Sequence, residues 1–254
     1  MSLPGPSTID RLIGPNSRGD RPRAITPPGG GGKFAPDGTL LPFPGNTILC
    51  HIDPASAAHR ALTDMQERCK AADWAANFAF LPTASFHMTV FEGVCMNPIY
   101  REDWPQGVSR NATRDEVSHV MLDRLRDVYL PSRAKVRPVG VRHNAGIGVL
   151  VDGADEANER LLRATRNQLS EALGYRPANF AEYRFHITLA YLLHWLDEDL
   201  AQRVGGEVEA ALHDLARAVP EIELGPPEFC NFDTMHEFVP VRLLDRAPLV
   251  AAGT

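Results

Sequence analysis

The sequence predicts a protein of mixed helices and strands, built from two units that follow the same order. Each half of the chain runs from a buried strand through an amphipathic helix to a strand that contains a histidine. The two histidine strands, SFHMTVFEGV (85–94) and RFHITLAYLL (184–193), align on Phe-His-x-Thr followed by apolar residues. With 254 residues, 44% of them hydrophobic and 23% charged, the chain can bury a substantial core without disulfide bonds.

The first 45 residues are rich in glycine and proline and show neither helical nor strand periodicity. They predict an N-terminal arm whose later part, with turn signals at 34–38 and 42–45, is ordered against the rest of the protein. The arm lacks an uninterrupted apolar segment of signal-peptide length, and no apolar run in the chain could span a bilayer. We therefore expect a cytoplasmic protein with no membrane partner.

The first unit begins with the apolar run TILCHI, which predicts a buried strand. Apolar residues at helical spacing between Ala55 and Ala76 predict the helix that follows. Further strands are expected at Phe78–Leu81 and Phe86–Val94, followed by a long polar loop (95–114) and a helix at Asp115–Tyr129.

The second unit repeats this order and ends in additional short strands. It is predicted to hold strands at Val136–Arg142 and Ile147–Asp152, a helix at Ala154–Leu173 ended by Gly174, the histidine strand at Arg184–Leu193, a helix at Asp197–Val219, and strands at Ile222–Leu224, Phe229–Phe232 and Val239–Leu244.

The repeated motif carries the chemistry that the sequence predicts. Side chains alternate across a strand, so His87 and Thr89 share one face, as do His186 and Thr188 on the other strand. One neutral imidazole can accept a proton while a protonated one donates a proton to a leaving oxygen. The threonine hydroxyls can hold phosphate oxygens between the imidazoles. This chemistry requires no metal and no cofactor.

Weaker candidates flank the motifs. Phe91 is four residues beyond His87 and is a candidate for stacking on a nucleobase, with core packing as the equal alternative. Arg184 and Ser85 each precede a motif histidine by two residues and are candidate substrate contacts. Tyr191 is five residues beyond His186, and regular alternation predicts that it faces the core.

The paired motifs His87-Met88-Thr89-Val90 and His186-Ile187-Thr188-Leu189 resemble those of the two-histidine (2H) phosphoesterase superfamily. The resemblance covers about residues 46–245, between the arm and a short tail at 246–254. It implies a bilobal α+β fold with pseudo-two-fold symmetry, antiparallel sheets, outer helices and a central cleft, as in RNA-ligase-like cyclic phosphodiesterases. The flanking segments, notably Asp37-Gly38, Pro44-Gly45-Asn46-Thr47 and Tyr183-Arg184-Phe185, look more like an uncharacterised bacterial branch, a domain of unknown function. The resemblance implies hydrolysis of a cyclic nucleotide phosphate or a related small phosphodiester, in a cleft that the arm or the 95–114 loop could cap.

The composition and the absence of certain motifs disfavour several other classes of function. A net charge of −6 disfavours long nucleic acids, although short RNA ends remain possible partners. The basic run Arg124–Arg142 is either a phosphate-proximal patch or, more simply, a solvated face. The sequence contains no zinc motif, no Gly-x-Ser-x-Gly and no P-loop, and its four scattered cysteines are expected to be free thiols. The alternatives to hydrolysis are a non-catalytic module that binds nucleotides or RNA ends, and an RNA 2′,5′-ligase-like activity.

Overall fold

The computed structural model describes residues 11–13, 21–22, 24–25, 31–97, 104–142 and 146–245. Its helices and strands, in chain order, are β1 (Gly45–His51), α1 (Ala57–Lys70), β2 (Phe78–Phe80), β3 (His87–Cys95), α2 (Arg114–Arg124), β4 (Lys135–Arg142), β5 (Gly146–Gly153), α3 (Glu156–Leu173), β6 (His186–Leu192), α4 (Glu198–Ala218), β7 (Ile222–Glu223), β8 (Glu228–Thr234) and β9 (Glu237–Leu243).

The helices begin at the side-chain caps that the sequence offers. The Asp155 side chain accepts a hydrogen bond from the Asn158 N–H at the start of α3, and Gly174 ends that helix with a left-handed φ of 72°. Both α1 and α2 are shorter than predicted. Beyond α1 the chain turns to bury Trp74, whose indole N–H donates to Glu207 of α4. Tertiary burial thus ends this helix before its apolar spacing does.

The strands form one curled antiparallel sheet in the order β7-β4-β5-β6-β3-β1-β8-β9, and β2 adds to β6. The predicted α+β fold is therefore confirmed, with both units joined into a continuous sheet. At the join, Met88 of β3 pairs with Ile187 of β6. These residues occupy the same position in the two motifs, so the pseudo-two-fold axis passes between them.

Each motif strand contains a β-bulge just after its threonine. On β3, Phe91 and Thr89 pair with the consecutive residues Ile48 and Leu49 of β1, which leaves Val90 as an extra residue. On β6, Ala190 and Thr188 pair with consecutive residues of β5, which leaves Leu189 extra. One extra residue reverses the alternation of side chains beyond it, so the predicted facing holds only as far as each threonine.

The later part of the arm is ordered against the sheet, as expected. Ile25, Phe34 and Phe43 are buried. They pack with residues of β2, β8 and the chain beyond β6, and they form one wall of the concave side of the sheet. The four cysteines are free thiols. In the part of the chain that the structure describes, no helix combines the length and the apolar character needed to cross a bilayer.

Candidate active site

The four motif side chains line one cavity of about 520 Å³ on the concave face of the sheet. The pairing of Met88 with Ile187 sets the antiparallel register of the two motif strands. In that register His87 lies opposite Thr188, and Thr89 lies opposite His186. The join between the lobes therefore brings two imidazoles and two hydroxyls to the same face. No hydrogen-bond partner for either threonine side chain is found among the described residues, which leaves both hydroxyls available to a ligand.

Both imidazoles are oriented by the same backbone contact. His87 Nδ1 lies 2.7 Å from the Ser85 carbonyl oxygen, and His186 Nδ1 lies 2.9 Å from the Arg184 carbonyl oxygen. A carbonyl oxygen can only accept, so each Nδ1 must carry the proton and donate it. In the neutral ring the Nε2 atom is then the unprotonated nitrogen, which is the form that a general base needs.

Both histidines have lowered pKa values. Burial lowers the pKa of His87 to about 4, with smaller contributions of the same sign from His51 and Lys33. Burial lowers the pKa of His186 to about 3, and the Arg142 guanidinium adds to that effect. The unliganded cavity therefore holds two neutral imidazoles at neutral pH. A bound anion would reverse this trend, because a negative charge beside an imidazole favours its protonated form.

Arg142 supplies a cation beside the second motif. Strand pairing places Arg142, Gly148 and Thr188 in one row across β4, β5 and β6. Gly148 has no side chain, so the Arg142 side chain can reach over β5 into the cavity that it lines. Burial lowers the pKa of the guanidinium, which nevertheless stays charged. Among the described residues, no carboxylate lies within ion-pair distance of Arg142.

Aromatic side chains form the wall beside the first motif. The Phe238 ring lies 4.2 Å from the His87 ring, centroid to centroid, and 5.2 Å from the Phe232 ring. Phe43 and Tyr191 complete this apolar side of the cavity. The cavity thus has aromatic rings beside the first motif and a guanidinium beside the second.

A buried arginine supports the opposite edge of the cavity. Arg166 of α3 is 1% exposed and donates to the Val90 carbonyl oxygen, at the bulge of β3. Two of its nitrogens also lie 3.3 and 3.4 Å from the Glu92 carboxylate, which lines the cavity. The guanidinium lies 3.9 Å from the Tyr183 ring centroid, and the Tyr183 hydroxyl donates to the Thr89 carbonyl oxygen at 3.4 Å. One side chain therefore ties together the bulge, the cavity carboxylate and the backbone of the first motif.

The weaker candidates are not placed as expected. Phe91 is 0% exposed and packs in the core against Tyr175 and Phe180, so it cannot stack on a ligand. Tyr191, which was expected to face the core, lines the cavity instead. The bulge in each strand reverses the facing of the residues beyond it. It selects the core alternative for Phe91 and makes the prediction for Tyr191 wrong.

Ser85 and Arg184 are also wrong as side-chain contacts. The Ser85 hydroxyl is buried and donates to the Pro82 carbonyl oxygen. The Arg184 side chain is 56% exposed, lies 3.5 Å from Asp152, and does not line the cavity. What these two residues contribute is their carbonyl oxygens, which orient the two imidazoles.

One further group of side chains could hold a metal ion. His51, Glu228 and Cys230 place potential ligand atoms within 4.8 Å of one another. No sequence motif marks this group, because its residues come from two strands far apart in the chain. His51 Nδ1 already lies 2.7 Å from the Glu228 carboxylate, and none of the three residues lines the cavity. The motif histidines belong to no such group among the described residues.

Sequence reasoning missed several cavity residues, namely Lys33, Glu92, Asn179, Tyr183 and Phe238. The basic run was the only signal for Arg142, which alone in that run lines the cavity. Lys33 lies in the glycine-rich arm, where no periodicity marks it. Of the described residues in the 95–114 loop, Cys95 lines the cavity, whereas residues 98–103 lie outside the described part of the chain.

Comparisons with known proteins identify the family of the chain. The family model named 2H-phosphodiest, described as a domain of unknown function (DUF1868), matches residues 33–147. Uncharacterized protein 127L of Invertebrate iridescent virus 6 is 26% identical over 175 residues, which are 63% of this chain and 71% of the viral protein. The crystal structure of ATU0111, a conserved protein of unknown function from Agrobacterium tumefaciens str. C58, matches with a TM-score of 0.82 and 30% identity over 94% of this chain and 100% of that protein. The chain therefore belongs to the 2H-phosphodiesterase-like family of unknown function, DUF1868.

Proposed function

We propose that this protein is a metal-independent phosphodiesterase that hydrolyses a cyclic nucleotide phosphate or a related small nucleotide-derived phosphodiester. One observation carries the proposal. Two imidazoles with Nδ1 fixed by backbone carbonyls share a cavity with two threonine hydroxyls that have no partner among the described residues. This set offers a proton acceptor, a proton donor and phosphate-oxygen ligands at one place.

The phosphate would lie between the two motifs. Thr89 and Thr188 would donate to its nonbridging oxygens, and Arg142 would balance its charge with a charge-assisted hydrogen bond. The absence of an acidic partner for Arg142 among the described residues supports this role, because a buried cation without a counter-ion favours an anionic ligand.

The reaction follows from the two imidazoles. A water molecule attacks phosphorus in line with the leaving ribose oxygen, and one Nε2 accepts the proton that the water loses. A new phosphorus–oxygen bond forms, the bond to the ribose oxygen breaks, and the protonated Nε2 of the other histidine donates its proton to that oxygen. The product is a phosphomonoester with a free hydroxyl, and the two histidines return to their starting states by proton exchange with solvent.

The unequal neighbours of the two histidines favour one assignment of roles. Arg142 opposes protonation of His186, so His186 is assigned as the histidine that stays unprotonated and acts as the general base. Arg142 does not contribute to the pKa of His87, which is therefore assigned as the general acid once the substrate anion is bound. Phe43, Phe232 and Phe238 line the side of the cavity that would receive a nucleobase, and a volume of about 520 Å³ suits a small ligand of that size.

The direct test is turnover of a panel of substrates in the presence of EDTA. The panel comprises 2′,3′-cyclic nucleotides, ADP-ribose cyclic phosphate and short 2′,5′-linked oligonucleotides. We expect hydrolysis by the wild type, and a fall in kcat of about 10²–10⁴-fold in His87→Ala and in His186→Ala. The matched control is His119→Ala, since His119 is exposed on α2 and does not line the cavity. Nucleotide binding without turnover would instead support a binding module, and a requirement for metal would refute the proposal.

The assignment of roles has its own test. A phosphodiester with a p-nitrophenol leaving group needs little protonation of the departing oxygen, so it should be hydrolysed by His87→Ala at close to the wild-type rate. His186→Ala should remain defective with the same compound, because the water still needs a base. The opposite pattern would exchange the two roles.

A further inference from the structure

Lys33 belongs to the N-terminal arm, yet its ammonium group lies in the cavity of the two motifs. It donates a hydrogen bond to the Tyr191 hydroxyl at 3.1 Å, and it lies 4.7 Å from the Tyr191 ring centroid and 5.2 Å from that of Phe43. All three residues line the cavity. The side chain is therefore directed inward by two aromatic rings rather than extended into solvent.

The backbone of this segment is held in place on both sides. The Lys33 N–H donates to the Ala24 carbonyl oxygen at 2.7 Å, and the Lys33 carbonyl oxygen accepts from the Leu41 N–H at 3.1 Å. The next residue, Phe34, is 1% exposed, and its ring centroid lies 5.4 Å from that of Tyr191. Lys33 is thus a fixed part of the cavity wall.

The charge of Lys33 acts on both imidazoles. It lowers the pKa of His87 and the pKa of His186, which places the ammonium within electrostatic reach of both motifs. No carboxylate among the described residues forms an ion pair with Lys33. The cavity carboxylate, Glu92, is already paired with Arg166.

The charges of the cavity match a transition state better than a ground state. A phosphodiester carries one negative charge, and attack by a water that loses its proton adds a second to the phosphorane oxygens. The described lining of the cavity offers two cations, Arg142 and Lys33, that form no ion pair with a described carboxylate. One of them balances the bound substrate, and the other is available for the charge that develops during attack.

We propose that Lys33, supplied by the N-terminal arm, is a catalytic residue that contacts the phosphate oxygens and stabilises the doubly negative transition state. This inference rests on the proposed function. It makes the arm part of the active site, because the reaction then needs a residue that lies outside both histidine motifs.

The test compares Lys33→Met and Lys33→Arg with the wild type in the same phosphodiester assay. We expect Lys33→Met to lower kcat by about 10²-fold with only a few-fold change in KM, as for removal of one donor that acts in the transition state. Lys33→Arg, which keeps the charge, should recover most of that loss. The matched control is Lys135→Met, because Lys135 pairs with Glu221 on the surface and should leave kcat unchanged. Urea unfolding of each variant checks that the arm still packs.

A second measurement needs no substrate. NMR titration of the imidazoles should show higher pKa values for His87 and His186 in Lys33→Met, and values near those of the wild type in Lys33→Arg. An active wild type with unchanged kcat in Lys33→Met, or equal losses in both Lys33 variants, would overturn the catalytic role while leaving the proposed function intact. If the wild type hydrolyses nothing, the proposed function and the catalytic role both fail. In that case, unchanged pKa values of His87 and His186 in Lys33→Met would also show that the Lys33 charge does not act on the two imidazoles.

Discussion

Arg166 gives the sharpest prediction about stability, because a single buried side chain holds three parts of the site. Replacing it by methionine keeps most of the length and apolar contact but removes the charge and the donors. The Val90 carbonyl oxygen would lose its donor from the guanidinium, and the Glu92 carboxylate would lose its counter-ion. Glu92 would then present an uncompensated negative charge to the cavity that it lines.

The magnitude follows from burial. Breaking a fully buried ion pair by removing one partner costs about 3–5 kcal/mol. The Glu92 side chain is 30% exposed, so this pair lies near the lower end of that range. The loss of a buried hydrogen bond, about 1–3 kcal/mol, overlaps with that figure because the same group makes both contacts. We therefore expect Arg166→Met to lower the free energy of unfolding by about 3 kcal/mol, a substantial share of the roughly 5–15 kcal/mol of a typical protein. The KM for an anionic substrate should rise as well, because the free Glu92 carboxylate repels it.

Urea denaturation followed by circular dichroism measures the first effect, and steady-state kinetics measure the second. The double variant Arg166→Met/Glu92→Gln should recover part of both, because no unpaired anion remains. Arg160→Met is the matched control on the same helix, where an exposed ion pair with Glu156 is worth about 0–1 kcal/mol. A loss below about 1 kcal/mol in Arg166→Met, or no recovery in the double variant, would refute the argument from burial.

Three further predictions follow from the site. Histidine in the unfolded chain has a pKa near 6.5, whereas the pKa values of His87 and His186 in the folded protein are about 4 and about 3. The free energy of unfolding should therefore fall as the pH drops below 6.5 towards these values, because the unfolded state binds more protons. Urea unfolding at several pH values should show a smaller fall in His87→Asn/His186→Asn. Arg142→Gln should raise the pKa of His186 in an NMR titration and raise the KM for a phosphodiester, whereas an unchanged pKa would contradict the role given to this cation. Chelation by EDTA should leave kcat unchanged in the wild type, because the metal-capable group of His51 and Glu228 does not line the cavity; loss of activity that added zinc restores would contradict this.

The sequence was sufficient to predict the fold and to single out the two motif histidines and the two motif threonines, because both depend on local, periodic patterns of residues. Apolar spacing located the helices and Gly174 marked the end of one of them, and the repeated motif identified two strands whose histidines and threonines share a face. The resemblance to a family then predicted that the two strands meet. The pairing of Met88 with Ile187 is consistent with that prediction, since equivalent residues of a duplicated unit lie opposite each other.

The other residues of the cavity could not be predicted, because no local sequence pattern marks the features that place them. The bulges at Val90 and Leu189 arise from pairing with other strands, and nothing within either motif marks the extra residue. They bury Phe91 and turn Tyr191 towards the cavity, which is the reverse of what alternation predicts. Lys33 is likewise invisible in sequence, because a glycine-rich arm has no period from which the direction of a side chain could be inferred.

The two lobes share a backbone but differ beside the motifs, and this difference bears on the unlike roles that we propose for the two histidines. In the second lobe, Thr188 pairs with Gly148 of the next strand, and Gly148 pairs in turn with Arg142. In the first lobe, Thr89 pairs with Leu49, and Leu49 pairs in turn with Glu228. The leucine side chain fills the space that the glycine leaves open, and the Glu228 carboxylate pairs with His51 instead of reaching the cavity.

The two lobes therefore share a backbone but differ in charge. Matching backbones give both imidazoles the same orientation, with Nδ1 held by the carbonyl oxygen two residues earlier. Their charged neighbours differ, because Arg142 lowers the pKa of His186 and does not contribute to that of His87. Such a difference favours one assignment of roles, since the group with the lower pKa stays unprotonated while the other holds the proton. The acid and base roles that we propose therefore rest on the divergence of the flanking strands rather than on the motifs themselves.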